Sequence, residues 1–268
     1  MKTESATRIR PAAQAGRFYP SSPLRLQSDL NEYLSAVSPP EGTVPKALIV
    51  PHAGYVFSGP IAASGFVRLG PAHQQLRRVV LVGPSHYEDF DGLAASGMDA
   101  FETPLGRVRL DAGARAAIEA MPQVTVLEAA HAPEHCLEVE LPFLQAVLDD
   151  FAIVPLLAGR TNVTEVGEVL ERLWGGSETC IVISSDLSHY LDYLAAKRKD
   201  RATAADIQGL RWDSLIGECA CGHRAISGLL SIARRRGLRC ETLDLRNSGD
   251  TGGARDRVVG YGAFALYE

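Results

Sequence analysis

Short runs of apolar and β-branched residues recur along the chain and end at Pro, Gly, Ser or Asp. Runs of this length and composition are typical of buried β-strands. They predict strands at Ala47–Val50, Val79–Val82, Ile153–Leu157, Ile181–Ile183 and Arg257–Leu266.

Between these runs, apolar residues recur at the spacing of an amphipathic helix. The pattern predicts helices over Pro23–Val37, Gly59–Gly70, Ala112–Met121, Val139–Asp150, Val163–Trp174, Lys197–Gln208 and Cys221–Arg236. Alternating strands and helices favour a central, mostly parallel or mixed sheet with helices on both faces. The expected fold class is therefore α/β, arranged as an α/β/α sandwich.

The length and composition of the chain limit the number of domains. A chain of 268 residues, 46% of them apolar, can bury one large core, so we predict a single domain over residues 1–268. The stretch Ser38–Pro45 has the length of an ordinary loop. The five cysteines are scattered, which predicts reduced thiols.

Charge and hydropathy exclude two classes of partner. The net charge of -5 provides no basic field for nucleic acid or for an anionic membrane surface. The chain contains no apolar stretch near the roughly 20 residues that a membrane helix needs, and the N-terminus lacks the apolar core of a secretory signal. A cytoplasmic protein is expected.

Three histidines lie just after predicted strands. His52, His86 and His189 each lie two to six residues past the end of an apolar run. In open α/β sheets, loops at the carboxyl ends of the strands converge and bind ligands. Neutral imidazole is the commonest protein ligand for zinc, iron and copper. The sequence therefore predicts a metal site that contains His52 and His86.

Two imidazoles need an anionic partner in such a site, and several are available. The candidates are Asp186, Glu138, Asp250 and a cysteine thiolate. Cys221 opens a predicted helix, where unpaired amides and the helix dipole favour the thiolate. It is therefore a candidate third ligand, and the alternative is that Cys219 and Cys221 are small buried residues.

Candidate acid–base residues accompany the predicted ligands. Asp186 lies three residues before His189 and is expected either to fix its tautomer or to cap a helix. His135 and Glu138 begin a predicted helix, which suits a site wall or ordinary capping. Phe18 belongs to an aromatic pair typical of core packing or of a pocket wall. We assign His189, Asp186 and His135 to catalysis.

Taken together, these motifs resemble those of the Memo-like family, also called AmmeMemoRadiSam system protein B. They occur in the family's order. The matching segments are Ala15–Pro20, Pro51–Gly59, Gly83–His86, Glu134–Val139, Ser184–His189, Ala220–Gly222, Asn247–Thr251 and Val258–Tyr261.

The resemblance implies a fold like that of class III extradiol dioxygenases, with the site in a cleft at the strand ends. It implies that His52, His86 and Cys221 are ligands of iron (Fe2+), with copper or zinc as alternatives. His189 matches the acid–base histidine of those enzymes. A thiolate in place of a carboxylate makes the site itself oxidisable, so ring cleavage is not carried over.

Two positions depart from or extend the family pattern: Cys136, where Ser is more common, and His223, an additional imidazole. We assign Tyr55, Phe18 and Glu138 to substrate binding. The substrate, a small molecule or a peptide, is not predicted.

Three functions stay open at this point. The first is a metal-dependent redox protein, a non-haem iron oxidoreductase. The second is a hydrolase with Cys221 as nucleophile, His189 as base and Asp186 as the residue that orients the base. The third is a non-enzymatic metal- or peptide-binding scaffold. The family names imply an AMMECR1-type protein and a radical-SAM protein as partners.

Overall fold

A mixed β-sheet forms the centre of the molecule. The computed structural model describes residues 7–38 and 42–268. The strands in this part of the chain are β1 (Ile9–Arg10), β2 (Ala47–Val50), β3 (Arg78–Pro84), β4 (Leu93–Ala95), β5 (Ala100–Thr103), β6 (Gly106–Leu110), β7 (Val124–Val126), β8 (Ala152–Ala158), β9 (Thr179–Ser184), β10 (His189–Leu191), β11 (Arg239–Asn247) and β12 (Val258–Tyr267).

Four adjacent parallel strands make up the middle of this sheet, in the order β8-β3-β9-β2. Val50 pairs with Ser184 at the end of β2 and β9. The long C-terminal strand β12 runs antiparallel beside β2, and β11 pairs with it. Because the four central strands are parallel, their carboxyl ends meet at one edge of the sheet.

Helices flank both faces of the sheet. They are α1 (Pro23–Ser35), α2 (Tyr55–Phe66), α3 (Ala112–Ile118), α4 (Glu128–His131), α5 (Leu141–Val147), α6 (Val163–Arg172), α7 (Tyr193–Gln208), α8 (His223–Arg236) and α9 (Ser248–Thr251). Short 3₁₀ segments cover Val67–Ala72, Glu138–Glu140 and Trp212–Ser214.

The two faces of the central strands contribute to two separate cores. Ile49 and Ile183 pack with residues of α6 and α8 on one face. Leu48 and Val182 pack with residues of α1, α2 and α5 on the other. Because successive strand residues point to opposite faces, strands that are buried on both sides are apolar at every position. This confirms the predicted α/β/α arrangement.

Several predicted boundaries are wrong by a few residues. The helix predicted from Val139 begins at Leu141, after a 3₁₀ turn, with Pro142 in its first turn, where the missing N–H costs nothing. The helix predicted over Gly59–Gly70 instead spans Tyr55–Phe66 and continues as a 3₁₀ segment. The apolar pattern alone did not predict the short strands β4–β7, which have only three to five residues each, or the half-buried β11, in which charged residues interrupt the apolar ones.

Within residues 7–38 and 42–268, no helix is long and apolar enough to cross a membrane. The predicted single domain and the predicted loop at Ser38–Pro45 include residues 1–6 and 39–41, which lie outside the described residues.

Candidate metal centre

Three imidazoles meet at the carboxyl edge of the sheet. His52 follows β2, His86 follows β3, and His135 comes from the segment between α4 and α5. One ring nitrogen from each lies within 4.8 Å of the others. The His52 side chain is buried, while 29% of the His86 side chain is exposed. The cluster therefore has one deep member and one that faces solvent.

Cys221 joins this cluster from the opposite end of the chain. Its Sγ is 3.4 Å from His52 Nε2. The backbone N–H of Cys221 donates to Asp186 O, and that of Gly222 donates to Ser185 Oγ. A Cβ at Gly222 would lie 2.7 Å from the Cβ of Ser185, so only glycine permits this close approach.

The thiol of Cys221 favours the protonated form, whereas the sequence predicted a bias toward the thiolate. Burial, followed by the charge of Asp186, raises its pKa to about 12. The predicted bias toward the thiolate is wrong for the metal-free protein, because desolvation outweighs the helix N-terminus that begins at His223. A bound cation reverses this balance, because a coordinating thiol loses its proton.

His52 is neutral and is hydrogen-bonded through the ring nitrogen that points away from Cys221. Burial, with the nearby His86 and His135, lowers its pKa well below the ordinary value. Its Nδ1 is 2.7 Å from Ser184 Oγ, at the end of β9. Its Nε2 is the nitrogen that faces the thiol.

Glu134 supports His86 from behind. Its Oε2 accepts the backbone N–H of His86 at 2.7 Å, and its Oε1 is 2.9 Å from His86 Nδ1. The same carboxylate accepts the backbone N–H groups of His135 and Cys136. Burial alone would raise the pKa of Glu134, but the hydrogen bonds from His135 and His86 outweigh it and lower the pKa well below its usual range.

The donor set fits a transition-metal ion. His52 and His86 each use Nδ1 for a hydrogen bond, as metal-ligating histidines usually do with their second nitrogen. Each ring therefore has Nε2 available for a ligand. Two imidazoles and a thiolate suit iron, copper or zinc better than magnesium or calcium.

The predicted partnership of Asp186 with His189 takes a different form. Asp186 Oδ1 accepts the backbone N–H of His52 at 2.9 Å, and among the described residues no hydrogen bond joins it to His189. No helix begins at residue 185, so the expectation of a capping role is wrong. The helix α7 is capped by Asp192 instead. His189 acts on Asp186 through charge, opposing the rise that burial causes in the Asp186 pKa.

The residues predicted to bind substrate have three different environments. Phe18 stacks on His135 with ring centroids 4.6 Å apart, so it borders the cluster. Tyr55 is buried, and its hydroxyl donates to Val139 O. Glu138 is fully buried and forms an ion pair with Arg10 at 2.6 Å.

Glu138 therefore uses its carboxylate inside the fold. Besides Arg10, it accepts the Tyr19 hydroxyl and the backbone N–H groups of Ala13 and Gln14. The prediction that His135 and Glu138 begin one helix is wrong, because the 3₁₀ turn begins at Glu138 itself, after His135.

The remaining residues of interest lie around this cluster. Cys136 is buried and donates to Pro84 O. Asn247 and Asp250 form the capping box of α9, which orders the Gly-rich segment. A surface groove of about 500 Å³ lies elsewhere and is lined by residues such as Arg160 and Arg224, with no histidine or cysteine in its wall.

Sequence reasoning missed Glu140, and it assigned no supporting role to Glu134 or Ser184, although both lie in segments that match the family. The proximity of Glu134 to His135 in the chain was the available signal. The local pattern did not indicate the roles of Ser184 and Glu140, because Ser184 contacts residues 132 and 44 positions away.

The fold and this cluster define an α/β protein with a candidate metal centre at the carboxyl edge of a parallel sheet. The sequence model of the family described as Memo-like protein matches residues 10–265. The chain belongs to the Memo family.

Relatives of similar length support this membership. A MEMO1 family protein of Aquifex aeolicus is 34% identical over 95% of this chain and 97% of its own length. A MEMO1 family protein of Archaeoglobus fulgidus is 34% identical over 92% of this chain and 95% of its own length. The crystal structure of an uncharacterized protein from Escherichia coli K12 is similar in fold, with a TM-score of 0.51 at 14% identity, covering 84% of this chain and 100% of that one.

Proposed function

We propose that this Memo-family protein binds a first-row transition-metal ion, iron(II) in the first place, through His52, His86 and Cys221. The observation that carries the proposal is the convergence of three imidazole nitrogens within 4.8 Å, with a thiol 3.4 Å from the most buried ring. Clusters of neutral imidazole and thiol at strand ends are typical of metal sites.

Residues around the proposed metal site have separate roles in ligand access and proton transfer. A bound iron ion supplies redox or Lewis-acid chemistry. Phe18 and His135 form one wall, and the exposed edge of His86 leaves the site open to a small ligand. His189 is the residue we propose for proton transfer, because it matches the acid–base histidine of the dioxygenases that the family resembles. Its charge also opposes the rise that burial causes in the Asp186 pKa.

His135 is the second candidate for the third ligand position. It belongs to the group of three imidazoles that could hold an ion. Cys221 is outside that group, although its Sγ lies 3.4 Å from Nε2 of one member, His52. Cobalt(II) substitution separates the two choices. We expect a sulfur-to-cobalt charge-transfer band that Cys221→Ser abolishes and His135→Ala retains.

The primary test is metal analysis of protein purified anaerobically from iron-replete cells. We expect stoichiometric iron in the wild type and its loss in His52→Ala. His73→Ala is the matched control, since His73 lies on the surface and pairs with Asp149. Wild-type protein that is as empty as His52→Ala would refute the proposal, and copper or zinc in place of iron would correct the metal.

Turnover and partners follow from separate measurements. Oxygen consumption with catechols and other phenols tests a redox activity of the iron-loaded protein. Co-purification tests the AMMECR1-type and radical-SAM partners that the family resemblance implies. Metal binding without turnover, together with such partners, would favour the scaffold.

A further inference from the structure

Two buried polar side chains lie behind His52, on the Nδ1 side of its ring. Ser184 ends β9, and Glu140 ends the 3₁₀ segment before α5. Neither side chain reaches solvent. Ser184 Oγ is 2.7 Å from His52 Nδ1 and 2.8 Å from Glu140 Oε1. These contacts form a continuous path from Glu140 to the imidazole.

Counting hydrogens sets the direction of these bonds. Ser184 Oγ has a third neighbour, the carbonyl oxygen of Cys136, at 2.7 Å. A hydroxyl has one hydrogen and two acceptor sites, and a carbonyl oxygen can only accept. The hydrogen of Ser184 therefore goes to Cys136, and His52 and Glu140 both donate to Ser184.

The alternative arrangements leave the carbonyl oxygen of Cys136 without the hydrogen of Ser184. If Ser184 donated to Glu140, Cys136 O would face the hydroxyl without a hydrogen, and His52 Nδ1 would still have to donate. Donation from Ser184 to His52 also leaves Cys136 O without its hydrogen. A buried acceptor without a partner is costly, so the first arrangement is favoured.

We propose that Ser184 and Glu140 are positioning residues that hold His52 in the tautomer protonated at Nδ1, so that its Nε2 is presented to the metal. The role of this arrangement in metal binding rests on the metal site proposed above. The tautomer itself is a property of the metal-free protein.

The state of Glu140 agrees with its role as a donor. Burial raises its pKa well above the ordinary value; the hydrogen bond with Ser184 opposes this rise, and the charge of Asp186 adds to it. A protonated carboxyl has an O–H to donate to Ser184. His52 and His86 therefore have different supports: a neutral hydroxyl and carboxyl behind His52, and a carboxylate, Glu134, behind His86.

The first test measures the tautomer directly. Two-bond 1H–15N correlation spectra of the metal-free protein, labelled with 15N-histidine, report which ring nitrogen carries the proton. The His52 signals are assigned by their absence in His52→Ala. We expect a protonated Nδ1 in the wild type and a mixture of tautomers in Ser184→Ala. A wild-type His52 protonated at Nε2 would overturn the proposal, whether or not the variant folds.

The second test measures affinity for zinc and cobalt by competition with a chelator. Outer partners of metal-binding histidines typically change metal affinity by about 10–100-fold. We expect that loss in Ser184→Ala and in Glu140→Met. Glu140→Gln should bind within a few-fold of the wild type, because its amide keeps an N–H donor for Ser184.

Ser227→Ala is the matched control, because Ser227 also donates to a backbone carbonyl, that of Trp212, but lies within α8. Wild-type affinity in folded Ser184→Ala would count against the positioning role. If the wild type bound no transition metal, the metal site would fail, while the spectra would still decide the tautomer.

Discussion

The pKa values of two buried glutamates near the candidate metal centre are shifted in opposite directions. Glu134 accepts hydrogen bonds from three backbone amides and lies beside two imidazoles, so it is stabilised as a carboxylate. Glu140 contacts Ser184, and its Oε2 has no hydrogen-bond partner among the described residues. Burial therefore favours the protonated acid at Glu140.

The protonation of Glu140 predicts a pH-dependent stability difference between the wild type and Glu140→Gln. A carboxyl whose folded-state pKa is raised stabilises the fold fully below its unfolded pKa, and this contribution falls as pH rises toward the folded pKa. Above the ordinary glutamate pKa, the wild type should lose about 1.4 kcal/mol per pH unit relative to Glu140→Gln.

Urea unfolding at several pH values measures this difference. Glu102→Gln is a suitable control, because Glu102 pairs with Arg107 on the surface. Wild-type and Glu140→Gln stabilities that stay parallel between pH 5 and 8 would mean that Glu140 does not take up a proton on folding. The window lies above the ordinary glutamate pKa of about 4.3.

The N-terminal segment is joined to the segment that carries His135 by one buried ion pair. Arg10, in β1, donates to Glu138 and to the backbone oxygens of His131 and Glu134. Glu138 in turn accepts from the backbone at Ala13 and Gln14. Phe18 follows these residues in the chain and stacks on His135.

Removing one partner of this pair should be strongly destabilising. We expect Glu138→Gln to lower the free energy of unfolding by about 3–5 kcal/mol, because Arg10 is left as an unpaired buried charge. Replacing both residues, as in Arg10→Met with Glu138→Met, should cost less than the sum of the single changes.

The same variant tests the predicted role of Glu138 in substrate binding. Denaturant unfolding gives the stability, and hydrogen exchange should show faster exchange in residues 9–19 and 131–138. A stable Glu138→Gln protein with unchanged exchange would contradict this structural role of the ion pair.

At the scale of the whole molecule, the candidate ligands come from distant parts of the chain. His52 and Cys221 are separated by 169 positions and are brought together just after the end of β2 and just before the start of α8. Such a site exists only in the folded protein. An ion that binds it should therefore stabilise the native state by mass action.

Metal binding should raise the free energy of unfolding by about 2.7 kcal/mol when the free ion is at 100 times its dissociation constant. Anaerobic urea unfolding with and without iron(II) measures this increase in the wild type. His52→Ala should show little of it. An equal increase in both proteins would indicate binding elsewhere on the chain.

The sequence by itself determined the central architecture and part of the site. Strands that are buried on both faces are uniformly apolar, so β2, β3, β8 and β9 could be recognised locally. Residues that follow parallel strands must meet at one edge, which predicted that His52 and His86 would lie close together.

Only the tertiary structure decided which groups surround each functional atom. Local periodicity contains no information about partners more than 100 positions away, such as Ser184 behind His52. For the same reason Asp186 was paired with its neighbour His189, whereas the fold directs its carboxylate to the backbone of His52. The tertiary structure also decides the protonation of Glu140 and Cys221. Burial raises the pKa of both groups, and burial is a property of the packed molecule.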